Sequence, residues 1–129
     1  MILLDTHTWI WWVNDITKLS ESTEQIINKA AAEKNIYISS ISVWVVALLV
    51  GKNKLKLNMD VATWISYSEG LSFVTFVPVN NRIALRSVAL PLHSDPADRL
   101  IVATALHLGS SLVTKDKKLE AYGGVKTVW

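Results

Sequence analysis

Cysteine is absent from the 129 residues, which removes disulfide scaffolds, thiolate zinc sites and cysteine nucleophiles, so the core must hold the fold without covalent help. Proline and glycine are scarce, at three and five, and no Pro-, Gly- or Ser-rich stretch, repeat or low-complexity tract divides the chain. A length of 129 residues without a linker predicts one domain. Charge is also sparse. Asp, Glu, Lys and Arg make up 19% of residues against 50% hydrophobic ones, with a mean hydropathy of +0.29. That balance excludes a disordered chain, which would be poor in apolar residues and rich in net charge. The longest apolar run, Val43 to Val50, is eight residues. A membrane-spanning helix needs ~20. The opening Met1-Ile2-Leu3-Leu4-Asp5 has no basic leader and carries an acid within its first residues, unlike a secretory signal, so the expected location is cytoplasmic without membrane association. The net charge of +2 does not by itself select a partner.

The periodicities that are present alternate between strand and helix. Ile2-Leu3-Leu4 reads as a strand buried on both faces, followed by a helix, and Ile26, Ile27, Ala30 and Ala31 recur at helical spacing behind Ser20 or Ser22 as N-cap. Ile36-Tyr37-Ile38 is a second strand, followed by a helix from about Ile41 that stops at Gly51. A helix near Asp60 to Ser68, a strand over Phe73 to Val77 ending at Pro78, and a helix over Arg82 to Ala89 come next. Asp95-Pro96 opens the clearest helix, since Asp caps well and Pro is preorganised for the first helical position. Its expected buried stripe is Leu100, Ile101, Thr104, Ala105 and Leu108, closed by Gly109. Ser111 to Thr114 is a fourth strand and Val125 to Val128 a fifth. Strands alternating with helices predict a three-layer α/β fold around a mainly parallel sheet.

Placement makes a few of the eleven acids informative. Asp5 and Asp116 each follow a predicted strand, and Asp98, with Asp95 three residues before it, lies in the first turn of a helix. Ligands of open α/β sheets bind beyond the carboxyl ends of strands, so these acids can converge on one edge. Singly, each has a structural explanation as a cap, a dipole partner or a turn residue. Together they would repel one another unless a cation is present, and hard oxygen donors without His or Cys select Mg2+ or Mn2+ over zinc. Phosphodiester hydrolysis is the chemistry that such a centre suits.

The same residues carry a resemblance. Leu3-Leu4-Asp5-Thr6-His7, Ile38-Ser39-Ser40-Ile41-Ser42-Val43-Trp44, His93-Ser94-Asp95-Pro96-Ala97-Asp98-Arg99-Leu100-Ile101 with Ala103-Thr104-Ala105, and Leu112-Val113-Thr114-Lys115-Asp116 stand in the order of a PIN domain. The chain resembles the VapC-like ribonuclease toxins of bacterial toxin–antitoxin pairs, over nearly its whole length. The resemblance implies a Mg2+- or Mn2+-dependent endoribonuclease, homodimeric and held inactive by a cognate antitoxin seated in a hydrophobic groove. It makes Asp5, Asp98 and Asp116 metal-site acids and Asp95 an additional catalytic acid, with Thr6, Ser42 and Thr114 as supporting hydroxyls; His7 and His93 belong to the motifs without a ligand spacing. The sequence departs from the pattern at one catalytic position. The family places a glutamate after the Trp of Ser-Val-Trp, and Val45 stands there. Loss of even a group supporting a metal ligand costs ~10–100-fold, so impaired cleavage is expected. The alternative is a PIN-fold module that binds RNA or antitoxin without cutting.

Lys115, Lys117 and Lys118 flank Asp116 and are expected to guide RNA, whereas Lys52, Lys54 and Lys56 read equally well as a solvated turn. Trp9, Trp11 and Trp12 crowd the first helix, where an interface patch is expected beside core packing. A receiver-like signalling domain ranks below these readings, because Phe73 to Val77, taken as its central strand, ends in Pro78 without an acid.

Overall fold

A computed structural model describes all residues, Met1–Trp129. Five parallel strands form one sheet in the order β3-β2-β1-β4-β5: β1 Ile2–Leu4, β2 Ile36–Ser39, β3 Val74–Val77, β4 Ser111–Val113 and β5 Thr127–Val128. Seven helices connect them: α1 Thr6–Asn14, α2 Glu21–Ala32, α3 Ser40–Gly51, α4 Val61–Glu69, α5 Asn81–Ala89, α6 Pro96–Leu108 and α7 Lys117–Tyr122.

Period-2 alternation divides the sheet residues between two cores. Ile2, Leu4, Ile36, Ile38 and Val113 point into one, with Trp9, Ile27, Val46 and Trp64 from α1 to α4. Leu3 and Leu112 point into the other, with Ile83, Ile101, Val102 and Leu119 from α5 to α7. The expected three layers are therefore present. β1 is central, fully buried and paired on both sides, Leu3 lying opposite Tyr37 and Leu112.

Local signals account for most boundaries. Ser20, rather than Ser22, caps α2 by accepting from the Thr23 N–H at 3.0 Å. Gly109 closes α6 in the left-handed region at φ 66°, where a side chain would be strained. Gly51 ends α3, but the left-handed residue there is Asn53 at φ 57°.

Four expectations need correction. α6 has no narrow apolar stripe: Ile101 through Ala105 are all buried, while Leu100 and Leu108 are only half-buried, because α6 is enclosed between the sheet and its neighbouring helices. The turn expected after Asp116 is the start of α7, too short for periodicity to reveal. The first helix exposes no indole patch: Trp9 is sealed against Trp64 and Phe76, and Trp11 and Trp12 are half-buried against Trp129 and Phe73. The open indole is Trp44 of α3, 55% exposed. Finally, β3 is an edge strand, so its missing acid does not bear on a receiver; the strand order does, since a receiver runs 2-1-3-4-5. No helix is long and apolar enough to cross a membrane.

Candidate active site

The strand order reverses between β1 and β4, and the crevice beyond the carboxyl ends of such a pair is where open α/β sheets bind ligands. Both strands end there in an acid-bearing loop. The Asp5 N–H continues the ladder to the Val113 carbonyl at 3.1 Å, and the chain then turns directly into α1. Asp5 caps that helix, its Oδ1 accepting from the Thr8 N–H at 2.8 Å. Its Oδ2 accepts from the Thr114 hydroxyl. The same Thr114 Oγ1 accepts from the Asp116 N–H at 3.1 Å, so one buried hydroxyl ties the loops after β1 and β4 together. Asp116 in turn caps α7 by accepting from the Lys118 N–H at 2.8 Å.

The third acid arrives on α6. Asp95 is its N-cap, with Oδ1 accepting from the Asp98 N–H at 2.8 Å, and the Ser94 hydroxyl donates to Asp98 Oδ2 at 2.7 Å. Arg99 anchors the approach to this turn by donating to the carbonyls of Val88 and Leu90, each at 2.9 Å, and of Leu92. The Asp98 carboxyl is pushed above its ordinary range, first by burial, against the lowering effect of the Ser94 bond, and then by the negative charges of Asp95, Asp116 and Asp5. Three of the four acids chosen from the sequence thus act electrostatically on the fourth, Asp98.

That repulsion has a thermodynamic consequence. A carboxyl whose folded pKa lies above its unfolded value makes the native state the better proton binder, so stability falls as pH rises from the ordinary carboxylate range through the raised value. In chelator at neutral pH, Asp98→Asn should therefore raise the urea midpoint, with the gain vanishing as pH is lowered into the ordinary carboxylate range. An unchanged midpoint at neutral pH would contradict this account.

The supporting hydroxyls divide differently from expectation. Only Thr114 touches an acid. Thr6 and Ser42 bond to each other at 2.8 Å in the buried seam between α1 and α3. Ser94 and Thr8, which the sequence reading did not assign, are the other groups holding carboxylate oxygens. Ser94 stands four residues before Asp98, and that spacing across a helix start was the available signal. His7 and His93 are both exposed.

Val45 is half-buried and lines a cleft of about 280 Å³ between α3 and the start of α6, with Asp95, Pro96 and Ala97 opposite. A hydrocarbon side chain thus lines the α3 wall of the cleft that Asp95 borders. Lys115 lies with Nζ 5.8 Å from the centroid of the Trp11 ring, Lys117 pairs with Glu120 at 3.6 Å, and Lys118 is exposed.

The PIN domain family matches residues 2–125. The chain belongs to the PIN-domain family. Its likeness to the VapC branch is specific: the ribonuclease VapC22 of Mycobacterium tuberculosis is 34% identical, over 99% of this chain and 98% of that protein. Among solved structures, FitAcB from Neisseria gonorrhoeae superposes with a TM-score of 0.71 at 20% identity, over 100% of this chain and 97% of that one. VapBC2 of Rickettsia felis, bound to a DNA fragment from its promoter, gives 0.71 at 20% identity, over 99% and 98%. This VapC-like PIN domain therefore has the sheet and helix layers of its relatives, with the acid-bearing ends of β1, β4 and α6 described above. No group of three or more acidic or histidine side chains of the PIN domain is drawn together tightly enough to hold a metal ion. In kind, however, the donors suit one: all are carboxylates, and the charge frustration at Asp98 is what a hard divalent cation would relieve.

Proposed function

We propose that the protein is an endoribonuclease toxin of the VapC type, hydrolysing RNA phosphodiester bonds with Mg2+ or Mn2+ at Asp5, Asp98 and Asp116, and weakened by Val45. The observation that supports this reading is electrostatic: Asp5 and Asp116 follow the two strands between which the order reverses, and their charges, with that of Asp95, help to raise the Asp98 carboxyl. A divalent ion held there would supply charge neutralisation at the scissile phosphate and a more acidic attacking water. The chain's own residues do the rest. Thr114 and the Thr8 N–H orient the Asp5 carboxylate, and Ser94 orients that of Asp98. Asp95 is exposed at the solvent edge, where one oxygen is committed to capping α6 and the other is free to accept a hydrogen bond from water.

A second reading follows from Val45. Without the glutamate, the chain binds RNA or antitoxin and does not cut. Cleavage assays with magnesium and with chelator, on single-stranded and structured RNA, separate the two: cleavage that chelator abolishes supports the first, and RNA binding without cleavage supports the second.

Lys115, Lys117 and Lys118 are assigned to the RNA backbone, Lys117 sharing its charge with Glu120. Replacing all three by alanine should lower the slope of log affinity against log salt by about 2, at ~0.7 per phosphate contact for a single strand. An unchanged slope would leave them as solubilising charges.

The antitoxin partner is supported by the structural relatives, among which is a toxin–antitoxin complex from Klebsiella pneumoniae with a TM-score of 0.65 at 24% identity. Pairing of two copies is assigned to α5, whose Leu85 and Val88 are 75% and 79% exposed and one helical turn apart. Sedimentation should shift from dimer to monomer when both become lysine, and a monomeric unmodified protein would refute the pairing.

A further inference from the structure

We propose that the cleft between α1 and the loop after α3 is a nucleotide subsite for the RNA strand, with a base seated against Trp11 and His7 and the backbone against Lys18, Lys54 and Lys56. The ligand class rests on the nuclease reading above, while the location rests on the cleft itself. It measures about 350 Å³, within the ~300–1,000 Å³ of small-ligand sites.

Three features of the cleft point to a nucleic-acid strand. The first is charge. Lys18, Lys54 and Lys56 come from two distant segments and converge on one opening, and none of them is in an ion pair, since the structure's salt bridge is that of Lys117 with Glu120. The acid on the wall, Asp15, is committed to capping, its Oδ1 accepting from the N–H and hydroxyl of Thr17. The second feature is the aromatic wall. The His7 and Trp11 rings lie 5.8 Å apart, and Trp11 is steadied edge-on by Trp129 at 5.8 Å. Rings of this kind offer a base a stacking face whatever its identity. The third feature is continuity. His7 is two residues from Asp5, and the cleft shares Leu49 and Lys54 with the one that runs past Val45 to Asp95. Lys115 over Trp11 joins the loop of Asp116 to the same wall. A strand crossing the acids would therefore pass from an anionic centre into a cationic, aromatic one.

The lysine loop is preorganised. Asn53 takes the left-handed turn, and Leu49 O accepts from the N–H groups of Lys54 at 2.8 Å and Leu55 at 3.2 Å. Holding the backbone in place lowers the ordering cost of binding.

The test is fluorescence anisotropy of the full chain with a labelled single-stranded oligoribonucleotide, in chelator and across a salt series. Lys18→Ala/Lys54→Ala/Lys56→Ala should lower the salt slope by about 2. Trp11→Leu should weaken binding about tenfold or more, while leaving the affinity for a fully abasic strand of the same length unchanged. The exposed lysine substitutions do not disturb the core, so their result stands if Trp11→Leu fails to fold. A wild-type salt slope in the triple variant overturns the proposal, as does an absence of RNA binding by the unmodified chain. A retained RNA slope with lost affinity for polyglutamate assigns the cleft to an acidic peptide and overturns it too. Lysine-dependent RNA binding with no metal-dependent cleavage, even after Val45→Glu, upholds the subsite and refutes the nuclease reading.

Discussion

Val45→Glu is expected to raise magnesium-dependent RNA cleavage by ~10–100-fold or more, the span lost when a group that supports a metal ligand is removed. The side chain at this position lines the same cleft as Asp95, Pro96 and Ala97, so a carboxylate there would add its charge to the wall facing the start of α6. The half-buried site leaves room for hydration of the new charge. The added negative charge should also destabilise the protein in chelator and make its thermal midpoint more responsive to magnesium, because a cation would relieve a larger repulsion. The assay compares the two chains side by side with magnesium and with chelator. Equal cleavage by both would refute impairment by Val45.

In the Val45→Glu background, Asp5→Asn is expected to reduce cleavage by more than the ~100-fold upper end for a merely supporting group, because it removes a charge from the centre itself. The substitution is chosen to spare the fold. Asn caps helices as well as Asp does, so the bond from the Thr8 N–H survives, and its side-chain oxygen can still accept from one of the two donors that now hold Asp5. Circular dichroism should match that of the parent, and the thermal midpoint in chelator should not fall well below it, since the repulsion relieved offsets the lost Thr114 bond. Retained cleavage would show that Asp5 serves only as the cap of α1, which is the structural role available to it in the sequence.

Much of the fold was legible because its signals are local. The apolar run Ile2–Leu4 marked a doubly buried strand, Asp95-Pro96 marked the start of α6, and Gly109 marked its end. The acids after β1 and β4 were visible as strand-end residues. α7 was missed because six residues hold less than two helical turns, too few for a period to register. The exposed tryptophan was misplaced because spacing on α1 says which residues share a face but not what covers it. Trp9 is covered by α4, whose Ser68 hydroxyl accepts from its indole N–H at 2.9 Å, 59 residues away.

The sequence by itself determined the alternation of strands and helices, the caps that start them, the stock of carboxylates and the valine among them, all of which follow from neighbours within a turn or a strand. Only the tertiary structure decided that β1 and β4 are adjacent, that Thr114 joins their two loops, that Val45 faces Asp95, and that Lys54, Lys56 and Lys115 gather around Trp11. Those relations depend on strand order and helix packing, which arise from burying two apolar sheet faces at once across the whole chain and leave no mark in any short segment.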